Sequence, residues 1–430
     1  MQDNGKITIE KAWKMLFDKH DIASKVSASG YFKIKASEIN TVKEARLMAK
    51  FDQSTQLPEV FKHNNLSILP ISRGEYIIGN FKTHEKVVYQ KAKPTIVSIP
   101  NFETLDCRNL YSEAAALLFA YNSGIIKDIV NASDIFYTVN GRMSSGCFDY
   151  SITSKSGLQK ISVQNAQVEI DGGYEFDKGF CIVEAKNVTV EEILIRQLYY
   201  PYRLWTEKIS KPIIPLLMVY SNDIFHFFQY DFLDKNDYNS LKLLAYKSYT
   251  FANESITLEE IFDVWKSTKY FSEPQITFPQ ADSFNRIVDL LTILFEHELT
   301  REEVTIQYEF DLRQTDYYIT ACSYLGLVDR TNINGERGCK LSAEARNIMA
   351  LNYKQKNLAL IKKIFERPIF HKSFGSIIAN NKIPDKLEIC NIMKSSNLSI
   401  NQTTIERRSS TVRSWLDWVL RITNTEEYDG

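Results

Sequence analysis

Apolar positions recur along this chain with two different periods. Ile9 to His20 spaces them at three and four residues, the pattern of an amphipathic helix. An apolar-rich stretch from Ser112 to Val130 predicts a long helix. Beyond it the runs shorten to strand length. Ile161 to Asp171 and Phe180 to Lys186 read as strands, and Gly172-Gly173 ends the first with a tight turn, so the two form a hairpin. Thr189-Val-Glu-Glu192 has the residues of a capping box. It opens a helix through Ile193, Leu194, Leu198 and Leu204, in which Pro201 frees the Gln197 carbonyl and introduces a kink. Two apolar strands, Ile213 to Tyr220 and Ile224 to Tyr230, follow. The order predicts an α/β (α+β) centre with a mixed sheet flanked by helices.

The C-terminal part changes to mostly helical patterning. Asp282 to Phe295, a short helix started by Thr300-Arg-Glu-Glu303, and Asp311 to Leu325 precede the turn Asn334-Gly335-Glu-Arg-Gly338. Helix, short helix, helix and a glycine-containing wing is the order of a winged helix-turn-helix. Its third helix would present Arg313, Gln314, Tyr317 and Tyr318; Arg suits guanine and Gln suits adenine. Winged helices also serve as protein-interaction modules. A second helix-turn-helix-like unit is read from the Pro384 to Lys394 helix, a turn over Ser399 to Thr404, and a long helix from Thr404 to Leu420. That helix buries Val412, Trp415, Leu416 and Val419, and offers Thr404, Arg407, Arg408, Ser410, Thr411 and Arg413 to bases, to phosphates or to solvent. The resulting division is 1–100, 101–255, 256–350 and 351–430. The first unit, punctuated by Leu57-Pro58 and Leu69-Pro70, is assigned either DNA clamping or a dimer contact.

The chemistry lies in the predicted hairpin. Side chains alternate along a strand, so Glu184 and Lys186 share one face while Cys181, Val183 and Ala185 share the other. Pairing the strands brings Asp171 near Glu184. Two adjacent carboxylates are unfavourable unless a cation neutralises them or one takes a proton, and Mg²⁺ prefers such oxygen ligands. A solvated sheet face with cross-strand ion pairs gives the same spacing. A charge inside so apolar a strand is nevertheless costly without a purpose.

Composition narrows the field. The 430 residues correspond to about three domains, with 44% hydrophobic and 24% charged positions. No run is long enough to span a bilayer, and Met1-Gln-Asp-Asn-Gly is not a signal peptide, so a cytoplasmic protein is expected. The six cysteines, at 107, 147, 181, 322, 339 and 390, form no C-x-x-C pair, and the six histidines are dispersed. Zinc sites, disulfide frameworks and His-metal nucleases are thereby disfavoured. The net charge of −1 is not the overall signature of a DNA binder, so basic residues must gather locally.

Four stretches carry a family resemblance: Gly141-Arg142-Met-Ser-Ser-Gly-Cys-Phe-Asp149, Val168-Glu-Ile-Asp-Gly-Gly-Tyr-Glu175, Ile182-Val-Glu-Ala-Lys186 and Arg196-Gln-Leu-Tyr-Tyr-Pro-Tyr-Arg203. Through them the chain resembles type II restriction endonucleases of the PD-(D/E)xK nuclease superfamily that carry winged-helix or helix-turn-helix C-terminal parts. The specific motifs cover about residues 105–232, with Ile170 where the superfamily expects proline. Glu44 to Asp52 and Ile68 to Tyr76 resemble segments of the same group, without an assigned chemistry. The resemblance implies a restriction-endonuclease-like central domain that cuts double-stranded DNA at specific sequences, leaving 5′-phosphate and 3′-hydroxyl ends. Asp171, Glu184 and the Ala185 carbonyl would hold Mg²⁺, and Lys186 would orient or deprotonate the attacking water. Glu113 would add a carboxylate from the upstream helix, with Glu169 its rival. Gln197 either follows the catalytic core, as in related nucleases, or satisfies backbone near Pro201. Arg142 would contact DNA. A homodimer matched to a palindromic target and a cognate DNA methyltransferase are the implied partners. A modification-dependent or DNA-repair nuclease, and a non-cleaving DNA-binding regulator, are the alternatives.

Overall fold

The computed structural model describes residues 7–90, 93–100, 102–105, 110–251, 255–308, 312–396, 398 and 400–423. Met1 to Gly5, Cys107, Asp311 and Ser399, all used above, lie outside them. The fold is mixed α/β, centred on a seven-stranded sheet. Its strands run in the order Thr95–Ile96, Leu241–Thr250, Ile224–Phe232, Ile213–Ser221, Gly179–Lys186, Gln167–Phe176 and Phe136–Ser144. Neighbours are antiparallel except Gly179–Lys186 with Ile213–Ser221, and the edge pair Leu241–Thr250 with Thr95–Ile96.

A parallel neighbour requires a crossover, and Arg196–Thr206 supplies it as a helix. This helix packs Leu198, Tyr199 and Tyr200 on one sheet face, with Phe180, Ile182, Leu217 and Val219. Helix Glu113–Asn122 covers the other face, placing Ala116, Leu117, Phe119 and Ala120 in a cluster with Cys181, Val183 and Ala185. Gly179–Lys186 is therefore buried along its whole length, as expected of a strand covered on both faces.

Several sequence expectations need correction. The strand assigned to Ile161–Asp171 is two strands, Gly157–Gln164 and Gln167–Phe176, divided at Asn165, which adopts the left-handed conformation (φ 54°). Gly172-Gly173 is not a turn. Both glycines lie within Gln167–Phe176, and the chain reverses at Asp177-Lys178 between Phe176 and Gly179. They are small because neighbours crowd them: a Cβ on Gly172 would lie 2.7 Å from the Tyr174 ring, and one on Gly173 would lie 2.8 Å from Val139 and Phe180. The Ser112–Val130 helix breaks at Gly124 (φ 80°) into Glu113–Asn122 and Ile125–Ile129. Thr189–Glu192 caps no helix. The Thr189 N–H donates to Asp289, the Glu192 carboxylate accepts from the Ser54 N–H, and Glu192–Leu194 pairs as a strand with His84–Lys86.

The N-terminal unit has its own core around Trp13, Leu16, Phe17, Ile34 and Phe61. It joins helix Ile9–His20 to a three-stranded sheet of Tyr31–Lys35, Glu75–Gly79 and Ser67–Pro70. Toward the C-terminus come helix Phe284–Glu296, strand Leu299–Thr300, helices Arg301–Gln307 and Leu312–Tyr324, and strands Val328–Ile333 and Glu336–Leu341. Asn334 and Gly335, both at positive φ, form the two-residue turn of the last pair. Helices Ala343–Met349, Tyr353–Phe365, Pro368–Asn380, Lys386–Ser395 and Gln402–Arg421 complete the chain. Their buried side chains continue one apolar cluster that reaches the central sheet. Among the described residues no helix is long and apolar enough to cross a membrane.

Candidate active site

The ladder between Gln167–Phe176 and Gly179–Lys186 sets Val183 opposite Gly172. Asp171 and Glu184 follow on either side of it. The Ala185 N–H donates to Asp171 Oδ2 at 2.8 Å, which fixes this carboxylate against the neighbouring strand. Glu184 and Lys186 share a face, with Lys186 Nζ 3.1 Å from Glu184 Oε1. Gln197, in the first turn of the crossover helix, donates its Nε2 to the same Glu184 oxygen. Four of the residues singled out in the sequence are thus brought together by one hairpin and one helix.

Burial holds both acids above the usual carboxylate range. Glu184, only 9% exposed, is pushed well up by burial; Lys186 opposes the shift, and Asp171, Glu113 and Asp52 add to it. Burial likewise raises Asp171, against the Ala185 N–H and Lys186. Glu113 half-buries at the start of its helix, where Ser112 accepts from the Ala115 N–H. Its rival Glu169 is exposed and pairs with Arg142 Nε at 3.1 Å. Glu113 therefore acts on Glu184, while Glu169 acts on Asp171.

A cleft of about 830 Å³ opens over these residues. Its lining includes Lys186, Arg46, Lys50, Arg73, Arg142 and Arg196, against Asp171, Glu184, Asp52, Glu113, Glu169 and Glu296. The cleft is balanced in charge, but four of its six acids lie deeper than most of its bases, with Glu169 and Glu296 exposed at the rim. Asp52 and Glu184 are buried and Asp171 and Glu113 half-buried, whereas Arg46, Lys50, Arg73 and Arg142 are exposed. Lys186, 6% exposed, is the cation set among the acids.

The donor set fits a hard cation that keeps part of its water. Among the described residues no three His, Cys, Asp or Glu side chains form a ready cage. Two carboxylates, Asp171 and Glu184, with the carbonyl of Ala185, which follows Glu184 on the same strand, are what Mg²⁺ commonly uses beside water and phosphate oxygens. A divalent ion would also relieve two carboxylates that burial disfavours in their charged form. Gln197 Oε1 is buried with no partner among the described residues, so the polar floor has an unused acceptor.

Sequence reasoning named no residue of the N-terminal unit for this cleft. Arg46, Lys50 and Asp52 come from one of the two N-terminal segments that carried the resemblance, and Arg73 and Tyr76 from the other. Trp13 anchors the first by donating its indole N–H to the Met48 carbonyl at 2.8 Å. Beyond Asp52, Gln53 Nε2 donates to the Glu192 carbonyl at 2.9 Å, which ties the segment to the central unit. Arg196 was visible only as part of the motif beginning the crossover helix.

The other predicted contacts lie elsewhere. No residue of Leu312–Tyr324 lines the cleft. Arg313 is exposed on that helix and donates Nε to the Tyr317 hydroxyl at 2.6 Å; Gln314 and Tyr317 are half-buried. Tyr318 is buried rather than presented, because it packs into the apolar cluster between helices. On Gln402–Arg421, Arg407 and Arg413 are exposed, but Arg408 and Thr411 turn inward with the Ile405, Val412 and Trp415 face, and the Thr411 hydroxyl donates to Asp282.

Three family models match the chain, each described as a domain of unknown function: DUF6996 over residues 10–78, DUF6997 over 79–250 and DUF7226 over 286–424. No curated protein and no solved structure matches it.

Proposed function

We propose that this protein is a sequence-specific, Mg²⁺-dependent endonuclease for double-stranded DNA, a type II restriction enzyme of the PD-(D/E)xK superfamily. The observation that carries the reading is Asp171 set beside Glu184 and Lys186 across one hairpin, at the floor of a cleft whose exposed lining is rich in arginine and lysine. The element order supports it. A helix, the antiparallel strands Phe136–Ser144, Gln167–Phe176 and Gly179–Lys186, a crossover helix and a parallel strand follow the order expected of a restriction-endonuclease-like core.

Asp171, Glu184 and the Ala185 carbonyl would hold Mg²⁺, which supplies a more acidic water and a polarised phosphoryl oxygen. Lys186 Nζ orients the attacking water and stabilises charge that develops on the scissile phosphate. Gln197 holds Glu184 through Nε2, so the carboxylate is fixed before substrate arrives. Arg46, Lys50, Arg73, Arg142 and Arg196 offer donors to backbone phosphates, which position a duplex without reading it. Reading is assigned to the expected winged helix-turn-helix of the 256–350 unit, in which helix Leu312–Tyr324 exposes Arg313 beside Gln314 and Tyr317. Two copies related by a two-fold axis would cut the two strands of a palindrome, and a cognate methyltransferase would protect the host's own sites.

The test is incubation of unmethylated plasmid with the full chain. Discrete fragments with Mg²⁺, none with EDTA, and none from Asp171→Ala support the reading. Binding without cleavage under any divalent ion would mark a DNA-binding regulator instead, and cutting confined to methylated DNA a modification-dependent enzyme.

A further inference from the structure

Arg408 sits in the second turn of Gln402–Arg421 and is only 7% exposed. Its Nε has no hydrogen-bond partner among the described residues. It lines a groove of about 650 Å³, distinct from the cleft, between the terminal helix, helix Leu312–Tyr324, the strand Val328–Ile333 and residues 275–280. Burial lowers the tendency of Arg408 to hold its proton, and exposed Arg407 adds to this, against Tyr317 and Asp282.

Two of the three nearby acids are already engaged. Asp282 accepts the Thr411 hydroxyl. Asp316 is gripped by Arg301, whose Nε reaches Oδ1 at 2.7 Å and whose Nη2 reaches Oδ2. Asp329 is exposed and stands opposite Lys340 in the strand ladder. Thr320 accepts from Arg330 Nη2 at 2.8 Å, which leaves its own hydroxyl hydrogen available to a ligand.

A guanidinium withdrawn from water is costly unless an anion compensates it. Its planar fork matches phosphate oxygens, which accept two parallel N–H donors. We infer that this groove is a second anion site, in which Arg408, with the Thr320 and Tyr317 hydroxyls beside it, binds a phosphate group. The phosphate belongs either to a nucleic-acid backbone lying along Leu312–Tyr324 or to a free nucleotide, for which the groove has room. The site stands whether or not the cleft is a nuclease centre.

The full chain tests it, without divalent ions. A labelled duplex of mixed sequence is titrated with wild type, Arg408→Met and Arg408→Lys over a range of salt. For a backbone phosphate, Arg408→Met weakens binding about tenfold and lowers the slope of log K against log salt by about one, and Arg408→Lys recovers part of the loss. For a free nucleotide, duplex binding is unchanged, but inorganic phosphate or a deoxynucleoside monophosphate raises the melting temperature of wild type and not of Arg408→Met. The absence of both effects overturns the inference. So does ligand-free Arg408→Met melting well below wild type, because a guanidinium awaiting a ligand contributes no favourable pair to the empty fold.

Discussion

A single methyl group at Gly173 separates a strand from a turn. Gly173 stands opposite Ile182 in the hairpin that carries the acids. A Cβ there would lie 2.8 Å from Val139 Cβ and 2.8 Å from the Phe180 ring. Carbon atoms pack best at about 3.5–4.0 Å, so each neighbour would have to retreat by roughly 1 Å. Val139 Cβ is fixed to the backbone of Phe136–Ser144, and the Phe180 ring is buried against Trp205 at a centroid distance of 4.9 Å. Neither can yield freely. Overpacking of this kind costs about 1–3 kcal/mol, and Gly173→Ala belongs toward the upper end because one contact is to a Cβ. Had Gly173 occupied a turn with negative φ, the same change would stabilise by about 0.4–1 kcal/mol through the unfolded chain. The two placements thus differ in sign. Urea unfolding followed by tryptophan fluorescence reads the difference as a shifted midpoint with an unchanged slope. A midpoint equal to or above that of wild type would refute the packing argument, and with it the register that brings Asp171 to Glu184.

Lys186→Met should reduce plasmid cleavage about 10²–10⁴-fold while gel-shift affinity for duplex stays within a few-fold; equal losses in both would assign Lys186 to binding. Asp289, pushed up to about 6 chiefly by burial while it accepts from the Thr189 N–H and the Ser221 hydroxyl, binds its proton more tightly folded than unfolded. Its contribution is therefore full below about pH 4 and lost as pH rises to 6, a change of about 3 kcal/mol; the wild-type stability should fall by that much relative to Asp289→Asn across this window, and a constant difference would count against it. Lys356 and Asp223 form a buried pair at 2.5 Å, each side chain 7% exposed. Lys356→Met should cost about 3–5 kcal/mol by stranding Asp223, and adding Asp223→Asn should recover much of it in a urea double-mutant cycle.

What the sequence could disclose depended on how local its cause was. Alternation along Gly179–Lys186 is local, and it correctly separated Glu184 and Lys186 from Cys181, Val183 and Ala185. The helix Ile9–His20 was readable to the residue for the same reason. Gly172-Gly173 was misread because glycine answers two demands, a turn and close packing, and the second depends on Val139 and Phe180, which only the folded sheet brings near. The residues from Thr189 to Glu192 obey the capping rule, yet their partners are Asp289 and Ser54, about a hundred residues away or more. Tertiary bonds there outcompeted the local motif.

The cleft carries this argument to the charge of the whole molecule. A net charge of −1 speaks against a polyanion as ligand, and the lining of the cleft, equal in acids and bases, does not reverse it. Depth does in part. At the rim the exposed Arg46, Lys50, Arg73 and Arg142 outnumber the exposed Glu169 and Glu296, while Asp52, Glu113, Asp171 and Glu184 lie beneath them. A scissile phosphate that reached the floor would face these acids with Lys186 as the buried cation beside them. A divalent ion converts that floor from repulsive to attractive. Duplex affinity at the cleft should then rise with a divalent ion and fall with monovalent salt, two dependences that a uniformly basic surface would not combine. Ca²⁺ in place of Mg²⁺ separates binding from cutting. Affinity that is unchanged by Ca²⁺ in wild type, and equally unchanged in Asp171→Asn, would mean that the acids do not lie beneath the bound phosphate.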